Sequence, residues 1–254
     1  MATFRRRRIG WWHLWLGVTL LVPLVWWVGT ALVFALWPIE QVRGRTLSTV
    51  KQAPRVLLSE ASLPSPDMVA GAQSVLLRSV EGHPIAIEHR DGKTTVWDLE
   101  TRSSLGEVIP LPWARASAER DFAGEFVVQE VLLYDREGKG RRVEPGGGAP
   151  AEPPSEFPGP FPAYAFHLRS GPSMHLYVDA LTGEVRARRT GIWRFYDACF
   201  RLHSLEFTPD GTKRLLILGV GGLWLGLGAT GMVMATRTWK RGARKRTGHS
   251  RISL

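Results

Sequence analysis

One cysteine, Cys199, stands in 254 residues. Without a second thiol the chain cannot form an internal disulfide, so an exported domain would have to hold together by its core alone. A free-thiol role is not expected for Cys199; burial on an apolar helix face is the ordinary reading. Acidic residues are missing from both ends. Residues 1–37 and 212–254 contain 13 Lys and Arg and no Asp or Glu, whereas residues 38–211 hold 20 Lys and Arg against 23 Asp and Glu, a formal charge of −3. The net charge of +10 therefore belongs to the two ends, which argues against nucleic acid as a partner. No nucleophile motif, phosphate-binding loop, zinc spacing or dinucleotide fingerprint is present. The short ends offer nothing that could bind a flavin or a nicotinamide.

The basic ends flank two apolar runs. Ile9–Trp37 is 29 residues and Leu215–Thr236 is 22 residues without a formally charged side chain. A helix rising about 1.5 Å per residue crosses a bilayer core in roughly 20 residues, so both runs are long enough. Pro23 is expected to kink the first. Trp11, Trp12, Trp15, Trp26, Trp27 and Trp37 crowd that run, some at its ends, where aromatic belts form. Val33-Phe34-Ala35 could pass as a signal-peptide cleavage site, but the apolar region before it far exceeds the usual length of roughly 7–15 residues. Arg5–Arg8 precede the first run, and Arg237, Lys240, Arg241, Arg244, Lys245, Arg246 and Arg251 follow the second. The positive-inside rule then places both termini in the cytoplasm and residues 38–211 outside, with Lys213 and Arg214 outnumbered.

The expected organisation is a basic N-terminus (1–8), a first transmembrane helix (9–37), a periplasmic domain (38–208), a second transmembrane helix (209–236) and a basic tail (237–254). Within the domain, Val69, Ala72, Leu76 and Val80 recur at helical spacing after the start signal Ser65-Pro66-Asp67. Ile85, Ile87 and His89 then alternate with polar residues, and Thr95, Trp97 and Leu99 return. Matching the apolar faces pairs Ile87 with Trp97 and Ile85 with Leu99 across a three-residue loop, Asp91–Lys93. The two-residue turn that Asp91-Gly92 alone suggests would put Ile85 opposite Asp98. Phe122, Phe126 and Leu133 have helical spacing within Ser117–Tyr134, whose end also reads as strand. Residues 145–162 contain 11 Pro and Gly in 18 and read as loop.

Tyr164, Phe166 and Leu168 form a further strand, Ser170-Gly171-Pro172 turns the chain, and Met174, Leu176 and Val178 return on the same face. Asp179 to Gly183 makes a corner before a strand begun by Val185 and Ala187. The Asp side chain can accept backbone N–H groups two residues on, and Gly supplies a positive φ. The same order of strand, Asp, polar corner and Gly-Glu-Val occurs about eighty residues earlier, in TTVWDLETRSSLGEV from Thr94. Two related units are expected, about 60–112 and about 113–191, each a helix followed by a hairpin and a third strand.

The stretch LYVDALTGEV, with Asp179, Thr182, Gly183 and Glu184, resembles the PepSY signature. The ends, RRRRIGWWHLWLGVTLLVPLVWWVGTALVF and FRLHSLEF with LLILGVGGLWLGLGATGMVM, resemble the PepSY-associated transmembrane family. The resemblance covers most of the chain, the first unit being the weaker match, and many family members have four spans where this chain has two. It implies an α+β membrane protein in which a two-helix transmembrane hairpin flanks an extracytoplasmic domain of tandem PepSY-like units, anchored in a bacterial inner membrane. PepSY units occur in peptidase propeptides and in membrane proteins linked to iron uptake, and some four-span relatives are haem-containing reductases that release iron from siderophores. The leading expectation is a non-enzymatic protein whose periplasmic domain binds or regulates a partner protein, peptide or ligand. The alternatives are a haem b electron-transfer subunit of a ferric-siderophore reductase system and an inhibitor of an envelope metallopeptidase.

His13 and His203 match the family's span histidines. Two imidazoles on one iron lie about 4 Å apart, yet these two fall on opposite sides of a bilayer about 30 Å thick. One chain cannot use both on one haem, whereas a homodimer could pair each with its copy. The other reading is an interfacial histidine that anchors a helix end. Trp193, Tyr196, Phe200, His203 and Phe207 fall on one face of a helix over 192–207, expected to lie on the outer membrane surface or to wall a haem or quinone pocket. Thr208-Pro209-Asp210 reads as the cap of the second membrane helix. Gly222 and Gly226, with Gly219, Gly228, Thr230 and Gly231 nearby, allow close helix packing within the chain or in a dimer. His167 and His175 should be directly opposite on paired strands, where cross-strand histidines at ~5 Å could share a metal; no third or fourth ligand is evident, and a solvated face is the ordinary reading.

Overall fold

The computed structural model describes residues 2–49, 63–144, 151–152, 154–169 and 174–249. The chain divides into two compact units, one of residues 1–36 with 197–254 and one of residues 37–196. The first contains two long helices, α1 (Ala2–Leu36) and α6 (Asp210–His249). Trp11–Leu36 and Asp210–Trp239 are long and apolar enough to cross a membrane. α1 runs on through Pro23. α5 (Gly191–His203) joins the two units and is started by the Thr190 hydroxyl, which accepts a bond from the Trp193 N–H.

The second unit is α+β, with two antiparallel sheets between the apolar helices. It opens with two short pieces, α2 (Ile39–Val42) and α3 (Pro66–Val69). One sheet is a four-stranded meander of β1 (Ser74–Val80), β2 (His83–Arg90), β3 (Lys93–Asp98) and β4 (Ser103–Gly106). α4 (Leu111–Asp121) follows. The other sheet comprises β5 (Val128–Tyr134), β6 (Gly140–Glu144), β7 (Ala163–Leu168), β8 (Met174–Asp179) and β9 (Val185–Arg189), in the order β6-β5-β7-β8-β9. One core joins the sheets and α4: Val80, Ile85, Ile87 and Val96 from the first, Ala114 and Ala118 from the helix, Val131, Phe166, Leu176 and Val178 from the second. Each large side chain here contributes about 1.5–3 kcal/mol by leaving water.

The second copy of the repeated unit folds as its alternation predicts. Tyr164 pairs with Val178, Phe166 with Leu176 and Leu168 with Met174. The turn expected at Ser170-Gly171-Pro172 lies outside the described residues, as do residues 145–150 and Pro153 of the Pro/Gly-rich stretch. The rest of that stretch has no helix or strand.

The first copy differs in three ways, the first being that its third strand, β4, occupies Ser103–Gly106, inside the expected corner, and not the residues that follow Gly106. The helix expected through Val69, Ala72, Leu76 and Val80 is a single turn followed by strand β1. Val75, Leu76 and Leu77 are consecutive apolar residues, so the run fits either period. A tight turn at Glu81 (φ 50°) and Gly82 (φ 92°) pairs β1 with β2 and decides for strand. The β2–β3 register is also the opposite of the one that face matching predicts: Ile85 faces Asp98 and Ile87 faces Val96 across a two-residue turn, Asp91 (φ 48°) and Gly92 (φ 74°). Face matching fails because both faces of β2 are covered. Ile85 and Ile87 enter the main core, while Ala86 packs with Met68 and Leu99 beside Val75, Leu77 and Trp97. Asp98 is tolerated opposite Ile85 because its carboxylate turns to accept the N–H groups of Glu100 (2.8 Å) and Thr101 (3.3 Å).

α4 ends at Asp121, so Phe122 is its cap, and Phe126 and Leu133 lie beyond it. Phe207 similarly lies past the end of α5, separated from it by Leu205 at φ 55°. The five aromatic and imidazole residues from Trp193 to Phe207 are therefore not one helical face.

Candidate functional site

The two histidines of the apolar unit are each matched to a threonine. His13 Nδ1 lies 2.9 Å from Thr230 Oγ1, and His203 Nδ1 lies 2.7 Å from Thr30 Oγ1. Both hydroxyls also reach backbone carbonyls one turn back, as helical threonines commonly do. Thr30 donates to the carbonyls of Trp26 (3.0 Å) and Trp27 (3.1 Å), and Thr230 to those of Gly226 (2.9 Å) and Leu227 (3.0 Å). A hydroxyl proton given to a carbonyl leaves the threonine oxygen to accept Nδ1–H from the imidazole. In that tautomer Nε2 is the bare nitrogen, the state a metal-ligating histidine needs.

The surroundings of the two rings differ. His203 is enclosed by Trp27 and Phe34, with ring centroids at 6.2 and 5.3 Å, and the Trp27 indole donates to the His203 carbonyl at 3.0 Å. His13 sits against Gly231, where an added Cβ would come within 3.4 Å of its Cε1. A groove of about 600 Å³ runs from His13 past Gly17, Leu20 and Leu24 to Trp224 and Gly228. His203 is level with Thr30, which is 17 residues beyond His13 on α1, or about 25 Å along a helix. The two imidazoles cannot meet on one metal. Among the described residues no cluster of three or more His, Cys, Asp or Glu could hold a metal ion. A group that needs two imidazoles would find one of them at each level of this chain.

Other expected site residues have plainer roles. Phe200 packs near Phe34, and Phe207 stacks on Trp26. Trp193 lies under the Arg189 guanidinium, 4.1 Å from its ring centre. Tyr196 is half-buried on α5, as is Cys199. Thr208 does not cap α6 through its side chain; its hydroxyl donates back to the Leu205 carbonyl at 2.7 Å. Around Gly219, Gly222 and Gly226 an added Cβ would meet nothing within 4 Å, so these glycines make no close packing among the described residues.

The corner bearing Asp179, Thr182, Gly183 and Glu184 is consumed by the fold. Asp179 Oδ1 accepts the N–H groups of Leu181 (2.8 Å) and Thr182 (3.0 Å), and Oδ2 accepts Arg186. Glu184 pairs with Arg78 of the first sheet. Gly183, at φ 71°, leaves no room: a Cβ would lie 2.8 Å from Val80 Cγ1 and 3.1 Å from Ser117 Oγ. The motif thus seats the second sheet against the first sheet and α4.

His167 and His175 are directly opposite, as the register predicts, and their rings stack at 3.8 Å. Their face is not solvated. Residues 154–162 lie across it, putting Phe157 and Phe161 over Leu132, Ala165, Tyr177 and Ala187. Glu156 of this strap is bonded by His175, by the Tyr177 hydroxyl (2.9 Å) and by Arg194 (2.7 Å). Burial alone would raise the Glu156 pKa, but hydrogen bonds from His175, Arg194 and Tyr177 overcome it and bring the carboxyl down to about 2. Burial, then the charge of His175, holds His167 below the ordinary histidine value against the pull of Glu130. The sequence signal for this cluster was the opposed histidine pair; the partner Glu156 sits in a Pro/Gly-rich stretch that carries no periodicity.

Comparison with family models, with curated proteins and with solved structures finds no match for this chain.

Proposed function

We propose that the chain is a two-pass membrane protein of PepSY type, with its α+β domain outside the cytoplasm, whose helix pair serves as a haem b electron-transfer element when two copies associate. The observation that carries this reading is the pair of histidine–threonine contacts in the apolar unit, in which an imidazole that donates through Nδ1 keeps Nε2 for a ligand. Large apolar side chains point outward along both helices, Val22 at 70% and Leu225 at 78% exposure, as lipid-facing residues do. The bound group would supply a one-electron couple. The protein's own part is to offer Nε2, to fix the ring through Nδ1–H, and to exclude water with Trp27, Phe34, Leu20 and Leu24. Electrons would come from a quinone or a partner protein.

The test is a visible absorption spectrum of the protein purified in mild detergent from cells supplied with haem precursor, oxidised and then dithionite-reduced. A sharpened α band on reduction, lost in His13→Ala or His203→Ala, is expected. A flat spectrum at high protein concentration would overturn the haem reading.

A second reading then takes its place: the outer domain binds a partner protein, peptide or ligand. It is favoured by an apolar cleft of about 410 Å³ lined by Leu47, Phe122, Met174, Gly191 and Ile192.

A further inference from the structure

The cluster under residues 154–162 has charges stacked in an order that protons can upset. Two imidazoles, His167 on β7 and His175 on β8, lie face to face at 3.8 Å, and their side chains are 21% and 23% exposed. Every element around them presents a charged or titratable group. β5 offers Glu130, 3.1 Å from His167 Nδ1, and also Tyr134; β6 offers Arg142, which pairs with Glu130. The strap offers Glu156, β8 offers Tyr177, and β9 offers Arg189, which donates to the Glu156 carbonyl at 2.6 Å. α5 offers Arg194, whose Nη2 is 2.9 Å from His175 Nδ1 and 3.2 Å from Glu156 Oε1.

His175 Nδ1 lies 2.5 Å from Glu156 Oε1 and 2.9 Å from Arg194 Nη2, so the nitrogen that bonds the carboxylate also faces a guanidinium. One proton on the histidine pair has Glu156 or Glu130 to answer it. A second places two imidazolium rings in contact, beside Arg142, Arg189 and Arg194.

We propose that the stacked His167–His175 pair is a proton sensor that releases the 154–162 strap on acidification and bares the apolar face of the second sheet beneath Phe157 and Phe161. The strap is suited to this because its hold is local. Among the described residues its anchors are the Glu156 carboxylate and carbonyl, the two phenylalanine rings, Phe157 stacking on Tyr177 at 4.5 Å, and at its far end the Pro162 carbonyl, which accepts the Ala180 N–H at 3.0 Å. The main core lies on the other face of the sheet and does not depend on it.

Hydrogen–deuterium exchange of the full chain in detergent, corrected for the intrinsic pH dependence, tests this between pH 7.5 and 5. Amides of residues 155–161 in the wild type should lose about tenfold or more of their protection across this range, while β2 and β3 stay protected. His167→Phe keeps a ring on His175 but cannot take the second proton, and should hold the strap closed at pH 5. Glu156→Gln should leave the strap open at both ends of the range. Unchanged wild-type protection at pH 5, a His167→Phe profile matching wild type, or a strap as protected in Glu156→Gln as in wild type would each overturn the proposal. Should His167→Phe fail to fold, the wild-type curve and Glu156→Gln decide it.

Discussion

Two glycines with nearly the same backbone angle separate strain from crowding. Gly92 has φ 74° and open space around it, whereas Gly183 has φ 71° and would drive a Cβ to 2.8 Å from Val80. Gly92→Ala should therefore cost about 1–2 kcal/mol, the price of a left-handed alanine. Gly183→Ala should cost about 1–3 kcal/mol more, because a packed neighbour must also move. Chemical denaturation of the two variants side by side measures the difference, and equal losses would sink the packing account. Asp179 allows a similar dissection. Asp179→Asn keeps an oxygen for the Leu181 and Thr182 N–H groups and gives up only the charge toward Arg186. Asp179→Ala orphans both N–H groups, each worth about 1–3 kcal/mol when buried without a partner. The alanine variant should be clearly the less stable of the two, and a reversed order would show that the ion pair matters more than the turn.

At the scale of elements, the histidine–threonine contacts hold α1 at two levels, to α6 through Thr230 and to the end of α5 through His203. Each Thr→Val change removes a hydroxyl and keeps the shape. Thr30→Val should weaken the α1–α5 contact and Thr230→Val the α1–α6 contact, each by about 0.6–1.7 kcal/mol. On the haem reading they should also speed haem loss to an apoprotein acceptor by about 10–100-fold, as loss of an orienting partner does. Unchanged haem retention would mean the hydroxyls do not orient the rings. These contacts were only half legible in the sequence: the histidines and Thr230 stood out, while the match between His203 and Thr30 depends on how the end of α5 packs on α1. The same division holds in the sheets. Tyr164, Phe166 and Leu168 alternate cleanly because the apolar side chains concentrate on the main-core face, so the register follows from the residues. β2 is covered on both faces, so Ile85 and Ala86 are equally buried and alternation cannot choose. There the turn chemistry of Asp91-Gly92 decides, and it is the better guide whenever both faces are apolar. β1 was hidden for a related reason, since Val75-Leu76-Leu77 satisfies either period and only its pairing with β2 makes it strand. The strap was hidden altogether, because Glu156 and Phe157 gain meaning only once β7, β8 and α5 converge on them.

At the scale of the whole molecule, two properties follow from where charge is placed. The first is stability against pH. Glu156 titrates near 2 in the fold against an ordinary value of 4.5, so its contribution is present above 4.5 and drains away as pH falls from 4.5 toward 2. His167 is depressed as well, which makes it stabilising when neutral above about 6.5 and costly as pH falls through its folded value. Both act in the same direction, so denaturation midpoints should decline from pH 7 downward, and Glu156→Gln should flatten the part below 4.5. A midpoint that rises on acidification would contradict the signs worked out here. The second property is the proposed topology. Arg5–Arg8 stand before the first apolar run, and seven Lys and Arg follow the second, against Lys213 and Arg214 at its start. A phosphatase that works only outside the cytoplasm should be active when fused after Thr208 and silent at the C-terminus, while a fluorescent protein at the C-terminus should light up. Replacing Arg5–Arg8 with Gln should leave the C-terminal fusion fluorescent, because the seven charges after the second run still outweigh the two before it. Phosphatase activity at the C-terminus of the unaltered chain would reverse the second helix and place its basic tail outside. The −3 charge of residues 38–211 would then need a different membrane arrangement to account for it.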